Sequence, residues 1–268
     1  MRLKYLLMVF IISALTGCMS LEEDKDYKEI REKIAELRNG RDSHVYDAAF
    51  KLLNYGNKAI PFLTELLLDE RAGSWARQLA VNVIVNMEAK TCKEDLIKAY
   101  HKYTGDMEIR TRQAIIEALG KLTEGREDIF YEAFHDPSLE VQAAAGLTLW
   151  ERGEINKKFV QDLIDSLILK ADFDWYGSGL ASITRLLFKI CDFPSEVGEM
   201  SPKELNKWWS ENEKFYYISA GRLEMNYYAQ KYGIPINGKT GRMIDPKDGH
   251  DLSELEELKL MKQLDDGK

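Results

Sequence analysis

The segment Gly233-Ile234-Pro235-Ile236-Asn237-Gly238-Lys239-Thr240 has the spacing G-x-x-x-x-G-K-[ST]. In a phosphate-binding loop, backbone amides cradle the phosphates, the lysine donates to them and the threonine ligates magnesium. That chemistry needs a strand leading in and a helix leading out. Here the lead-in, Tyr227 to Tyr232, lacks a buried-strand pattern, and the exit runs from Gly241 into Pro246. The expectation is a turn-rich loop with Lys239 in solvent, and no nucleotide. The histidines His44, His101, His135 and His250 show no second His or Cys at helical ligand spacing, so no metal site is expected. No G-x-S-x-G elbow or local triad signature is present. The sequence thus points to no catalytic residues, no cofactor and no enzyme.

Aromatic residues offer a different chemistry, that of contact. Trp208, Trp209, Phe215, Tyr216, Tyr217, Tyr227 and Tyr228 cluster late in the chain. They fit either a cap over the last helical repeat or a surface that stacks on sugars or anchors a protein. Trp175 and Tyr176, in a loop, join Trp208 and Trp209 as candidate partner contacts. Cys92 and Cys191 lie about three repeats apart. That is too far for a bridge between Cα atoms that must approach within about 7 Å, so two buried free thiols are expected.

These residues need elements to hold them, and the apolar spacing is helical almost throughout. Ile30, Ile34 and Leu37 mark a first helix that Asn39-Gly40 closes. A Val/Ala/Leu pattern then recurs from residues 45, 76, 111, 141 and 179, at steps of 31, 35, 30 and 38. Shorter partners fall between, at 60–68, 92–103, 127–134 and 159–169. Self-similarity of this period marks stacked helix pairs. Ala48, Ala80, Ala114, Ala144 and Ala145 would let backbones approach closely. Beyond Cys191, Ser201 and Glu204 have capping-box spacing. Residues 233–250 read as a loop or small hairpin, and Leu252, Leu255, Leu258 and Met261 as a weak terminal helix.

Composition narrows the partners. The 268 residues carry 37 Lys+Arg against 45 Asp+Glu, a net charge of −8, which argues against nucleic acid. Three cysteines exclude a disulfide-stapled scaffold. At the N-terminus, Arg2 and Lys4 precede an apolar run from Tyr5 to Ala14 that is too short to span a bilayer.

Two resemblances follow from these residues. Leu15-Thr16-Gly17-Cys18 resembles a bacterial lipobox, which implies cleavage before Cys18 and a diacylglyceryl or palmitate-bearing cysteine. Two or more acyl chains hold a protein stably at a membrane surface. Gly56-x-x-Ala59-Ile60-Pro61-x-Leu63-x-x-Leu66-Leu67 and Asp136-Pro137-x-x-x-Val141-Gln142-x-x-Ala145 resemble HEAT repeats. Arg77 and Arg112 keep the arginine usual in that family, whereas Gln142 departs from it. The resemblance implies an all-α, HEAT-like α-solenoid over 27–190. A signal peptide at 1–17, a lipidated acidic tether at 18–26 and an aromatic C-terminal cap with a Gly/Pro-containing tail at 191–268 complete the expected organisation. It also implies a membrane-anchored scaffold of the cell envelope that binds unknown envelope proteins. In a two-membrane bacterium it would sit on the outer membrane, facing the periplasm. The alternative is an envelope glycan-binding module that uses the C-terminal aromatics.

Overall fold

The computed structural model describes residues 25–40, 44–124, 128–171, 178–245 and 247–266. Cys18, Trp175 and Tyr176 lie outside them. The chain is predominantly helical and divides into two compact units, one ending at Glu124 and the other beginning at Gly125. No described helix is long and apolar enough to cross a membrane.

The first unit holds α1 (25–39), α2 (His44–Leu53), α3 (Ile60–Leu68), α4 (Ser74–Asn86), α5 (Lys93–Lys102) and α6 (Ile109–Leu122). Every second helix meets in one layer: α2 packs on α4 and α4 on α6, while α3 packs on α5. The pairs α3–α4 and α5–α6 join the layers. Tyr46 meets Trp75 edge-on at 6.2 Å, and the Ser74 and Thr111 hydroxyls lie 2.8 Å apart. The N-terminal ends of α2, α4 and α6 are therefore together, and the three run parallel. At the other end of the layer, the Tyr55 hydroxyl donates to the Glu29 carboxylate (2.5 Å), which pushes its pKa up to about 12.

The repeat pattern has a physical core. Arg77, Arg112 and Gln142 occupy the same place in three copies, and all three are buried. Each donates to one or more carbonyls of the loop just before its own helix. Arg77 reaches the Asp69 (3.1 Å) and Ala72 carbonyls and lies over the Tyr103 ring. Arg112 reaches Tyr103 (3.1 Å) and Gly105 (2.9 Å), and Gln142 reaches Asp136 (2.7 Å). The position requires an N–H donor long enough to satisfy a buried carbonyl, and glutamine supplies one. Arg112→Ala should therefore cost about 1–3 kcal/mol by leaving the Tyr103 carbonyl without this donor, while the Gly105 carbonyl keeps the Glu108 amide, and Arg112→Gln should recover part of it. Urea denaturation checks this: an Arg112→Ala protein of unchanged stability would refute the role.

The second unit holds α7 (Asp128–Ala133), α8 (Leu139–Glu151), α9 (Lys157–Lys170), α10 (Ser178–Ile190) and α11 (Pro202–Asn212). Here α8 packs on α10 and α9 on α11, again alternate helices. Gly146 permits the close approach of α8 and α10, because a Cβ there would come within 2.7 Å of Leu186 Cδ2. Ser201 and Glu204 form the expected capping box at the start of α11.

After α11 the structure departs from a wholly helical expectation. Strands β1 (Tyr216–Ser219) and β2 (Arg222–Met225) form an antiparallel hairpin, with Tyr216 opposite Met225 and Ser219 opposite Arg222. Its two-residue turn places Ala220 at φ 47° and Gly221 at φ 78°, the left-handed geometry that matches strand twist. The Trp150 indole N–H donates to the Gly221 carbonyl at 2.7 Å, tying the turn to α8. Asn226 caps α12 (Tyr227–Tyr232), and Gly233 ends it at φ 70°. The terminal helix α13 (Glu254–Asp266) buries no described residue.

Cys92 and Cys191 are buried free thiols, one in each unit. Burial pushes the Cys191 thiol far above its ordinary pKa, and Cys92 is raised for the same reason.

Candidate interaction surface

Helix α2 carries two apolar stripes where one would suffice. Val45, Ala48 and Leu52, at i, i+3 and i+7, are buried against the unit's core. Tyr46, Phe50 and Leu53, at i, i+4 and i+7, form the second stripe. Phe50 is 69% exposed and Tyr46 58%. By its apolar character and position, Phe50 fits the repeated apolar pattern that begins at Val45. The structure turns it outward, because the core stripe lies on another side of the same helix. Trp75, at the start of α4, extends the aromatic edge and is itself 42% exposed.

Beside that edge lies a groove of about 350 Å³. Tyr46, Ala49, Phe50 and Leu53 of α2 make one wall. Leu79, Asn82, Val83 and Asn86 of α4 line its middle, and Ala114, Glu117, Ala118 and Lys121 of α6 make the other wall. The small side chains Ala49, Ala114 and Ala118 are what leave room between the helices. Only four lining residues carry polar side-chain groups beyond the Tyr46 hydroxyl: Asn82, Asn86, Glu117 and Lys121. Glu117 accepts from Gln113 Nε2 at 2.9 Å. A concave surface of mixed polarity, with an aromatic rim on the α2 side and one charge of each sign on the α6 side, has the make-up of a contact site.

The aromatic residues singled out in the sequence fare differently. Trp209 is fully buried and packs on Tyr216 at 5.1 Å, with Phe193 at 6.0 Å. As a partner contact it is corrected to a core residue, since its ring fills the space between α11 and the hairpin. Trp208 is half-buried, edge-on to Phe193 and Tyr216. Phe215 and Tyr216 are buried, and the Tyr216 hydroxyl donates to the Asp192 carbonyl at 3.0 Å. Only Tyr227 and Tyr228 of the cluster are largely exposed, and Tyr227 donates to Asp192 Oδ2 at 3.2 Å.

The phosphate-loop spacing is built from other parts. Helix α12 leads in where a strand would be needed, and Ile236 pairs with Met243 across a small hairpin. The Lys239 amide donates to Asn237 Oδ1 at 2.9 Å, and its side chain is exposed. The Thr240 hydroxyl donates to the Asp251 carboxylate at 3.0 Å.

One grouping escaped the sequence reading. Asp245, Asp248 and His250 bring one potential ligand atom each within 4.8 Å of one another. A turn gathers them, so no helical spacing betrays them. They are engaged internally: His250 Nδ1 lies 2.5 Å from Asp248 Oδ1, and Asp245 accepts from the Lys247 amide at 2.7 Å. The hydrogen bond to Asp248 raises the His250 pKa, and the same bond lowers that of Asp248.

No protein-family model matches the chain, and a comparison with curated proteins finds no significant relative.

Proposed function

We propose that this chain is a lipid-anchored scaffold of the bacterial cell envelope, a HEAT-like α-solenoid that binds other envelope proteins. The observation that carries the reading is the groove over α2, α4 and α6, with Tyr46 and Phe50 exposed along it and Trp75 exposed beside Tyr46. Burying such side chains is favourable by about 25 cal/mol per Å², and aromatic anchors dominate interface energetics. The shared role of Arg77, Arg112 and Gln142 supports the repeat. Alternate-helix packing is what stacked helix pairs produce. The lipobox-like Leu15 to Cys18 supports the anchor, and the negative net charge leaves lipid rather than a basic patch to hold the chain at a membrane. Nothing in the reading calls for a catalytic residue, a nucleotide or a nucleic acid.

The anchor is tested by Cys18→Ser, which should abolish incorporation of labelled palmitate and release the protein from the membrane fraction. A Cys18→Ser protein processed and retained as before would overturn it. The surface is tested in cells by a photoreactive benzoylphenylalanine replacing Phe50, compared with one replacing the exposed Lys98 on α5. Cross-links to protein are expected from position 50 and not from 98. Equal cross-linking from both, or none from either, would count against the scaffold.

A further inference from the structure

We propose that the groove takes an amphipathic helix of a partner protein, with an acidic side chain for Lys121 and, one turn away, a basic one for Glu117. The inference rests on the interaction reading above and names the partner's chemistry. Its first support is shape. The groove runs along α4 between the parallel helices α2 and α6, and its α2 wall extends from Tyr46 to Leu53. At about 1.5 Å per residue, that is about two helical turns.

The second support is the floor. Leu79 and Val83 of α4, with Ala114 and Ala118 at the foot of the α6 wall, are buried and apolar, and Asn82 and Asn86 add two exposed carboxamides. An extended segment would lay backbone amides and carbonyls across this floor at about 3.3 Å per residue. Two carboxamides cannot pair them all, and buried unpaired backbone groups are costly. A helix satisfies its own backbone and presents only side chains, in the manner of helix-in-groove recognition.

Charge provides the third. Glu117 and Lys121 stand four residues apart on α6, both exposed, so they face the same way. Among the described residues no carboxylate forms an ion pair with Lys121. The opposite wall is aromatic. A helix seated here therefore turns apolar anchors toward α2 and α4 and a charged flank toward α6, with its signs opposed to Glu117 and Lys121.

The test uses full-length protein in detergent and a phage-displayed library of peptides about 16 residues long, enough for a helix that is marginal alone. The enriched sequences should share apolar residues at helical spacing, with an acidic and a basic residue one turn apart. A synthetic copy should gain helix on binding, and a proline in its middle should abolish binding. Phe50→Glu should weaken binding about thirtyfold or more, the usual scale for losing an aromatic anchor. Exchanging the wall charges with Glu117→Lys plus Lys121→Glu should reverse the preferred charge order in the peptide. Enrichment of proline-containing extended peptides, indifference to the charge exchange, no enrichment at all, or self-association that fills the groove would each overturn the helix. Persisting Phe50-directed cross-links in cells would then keep the scaffold reading alone, and their absence would remove both.

Discussion

Trp209→Ala should lower stability by about 3–5 kcal/mol, the usual cost of truncating a fully buried tryptophan. The residue is 0% exposed and stands where Phe193, Tyr216 and Trp208 converge, between α11 and the hairpin. No hydrogen bond to its indole N–H is formed among the described residues, so what the ring contributes is packing and apolar burial. Trp209→Phe should consequently cost much less than Trp209→Ala, since it keeps an aromatic ring and loses no bond. The half-buried Trp208 should give an intermediate loss. Urea titrations followed by circular dichroism separate the three. A Trp209→Ala protein as stable as the parent would mean that the aromatic segment does not close the second unit.

Ala145→Asp should be equally severe, for a different reason. Ala145 is completely buried on α8, the helix that packs on α7 and α10. An ionised carboxylate left there without a partner costs about 3–5 kcal/mol. Burial would raise the pKa of the introduced acid, so the folded state would take up a proton more readily than the unfolded chain. The defect should then be largest at neutral pH and ease as pH falls toward about 4, the unfolded value. Ala145→Asn, of similar size but without charge, should show no such pH dependence. A loss that is independent of pH in both variants would assign the effect to crowding and not to charge.

Much of the helical architecture was legible because helices α2, α4, α6, α8 and α10 share one spacing of apolar and small residues. Ser201 and Glu204 were legible because capping is a local exchange of two hydrogen bonds. Gln142 shows the limit of reading by letter. It looks like a departure from arginine, yet it meets the same demand for a donor to a loop carbonyl. The hairpin was hidden because its strands are four residues long and its turn is Ala-Gly, not the Asn-Gly that advertises left-handed geometry. The groove was hidden because Phe50 is as apolar in a core as on a surface. Only its angle from Val45, Ala48 and Leu52 separates the two, and that signal, a second stripe through Tyr46 and Leu53, was present in the sequence. Asp245, Asp248 and His250 meet through a turn, which no periodicity describes.

The placement of the thiols gives each unit its own clock. Cys92 lies in the first unit and Cys191 in the second, both buried, and neither is engaged in a bridge. A thiol reacts through its thiolate, and both are held protonated by burial. Neither can be alkylated at an appreciable rate until the structure around it opens. Alkylation rates at the two sites, resolved by peptide mass spectrometry, therefore report the opening free energies of the two units separately, within one chain and without an introduced label.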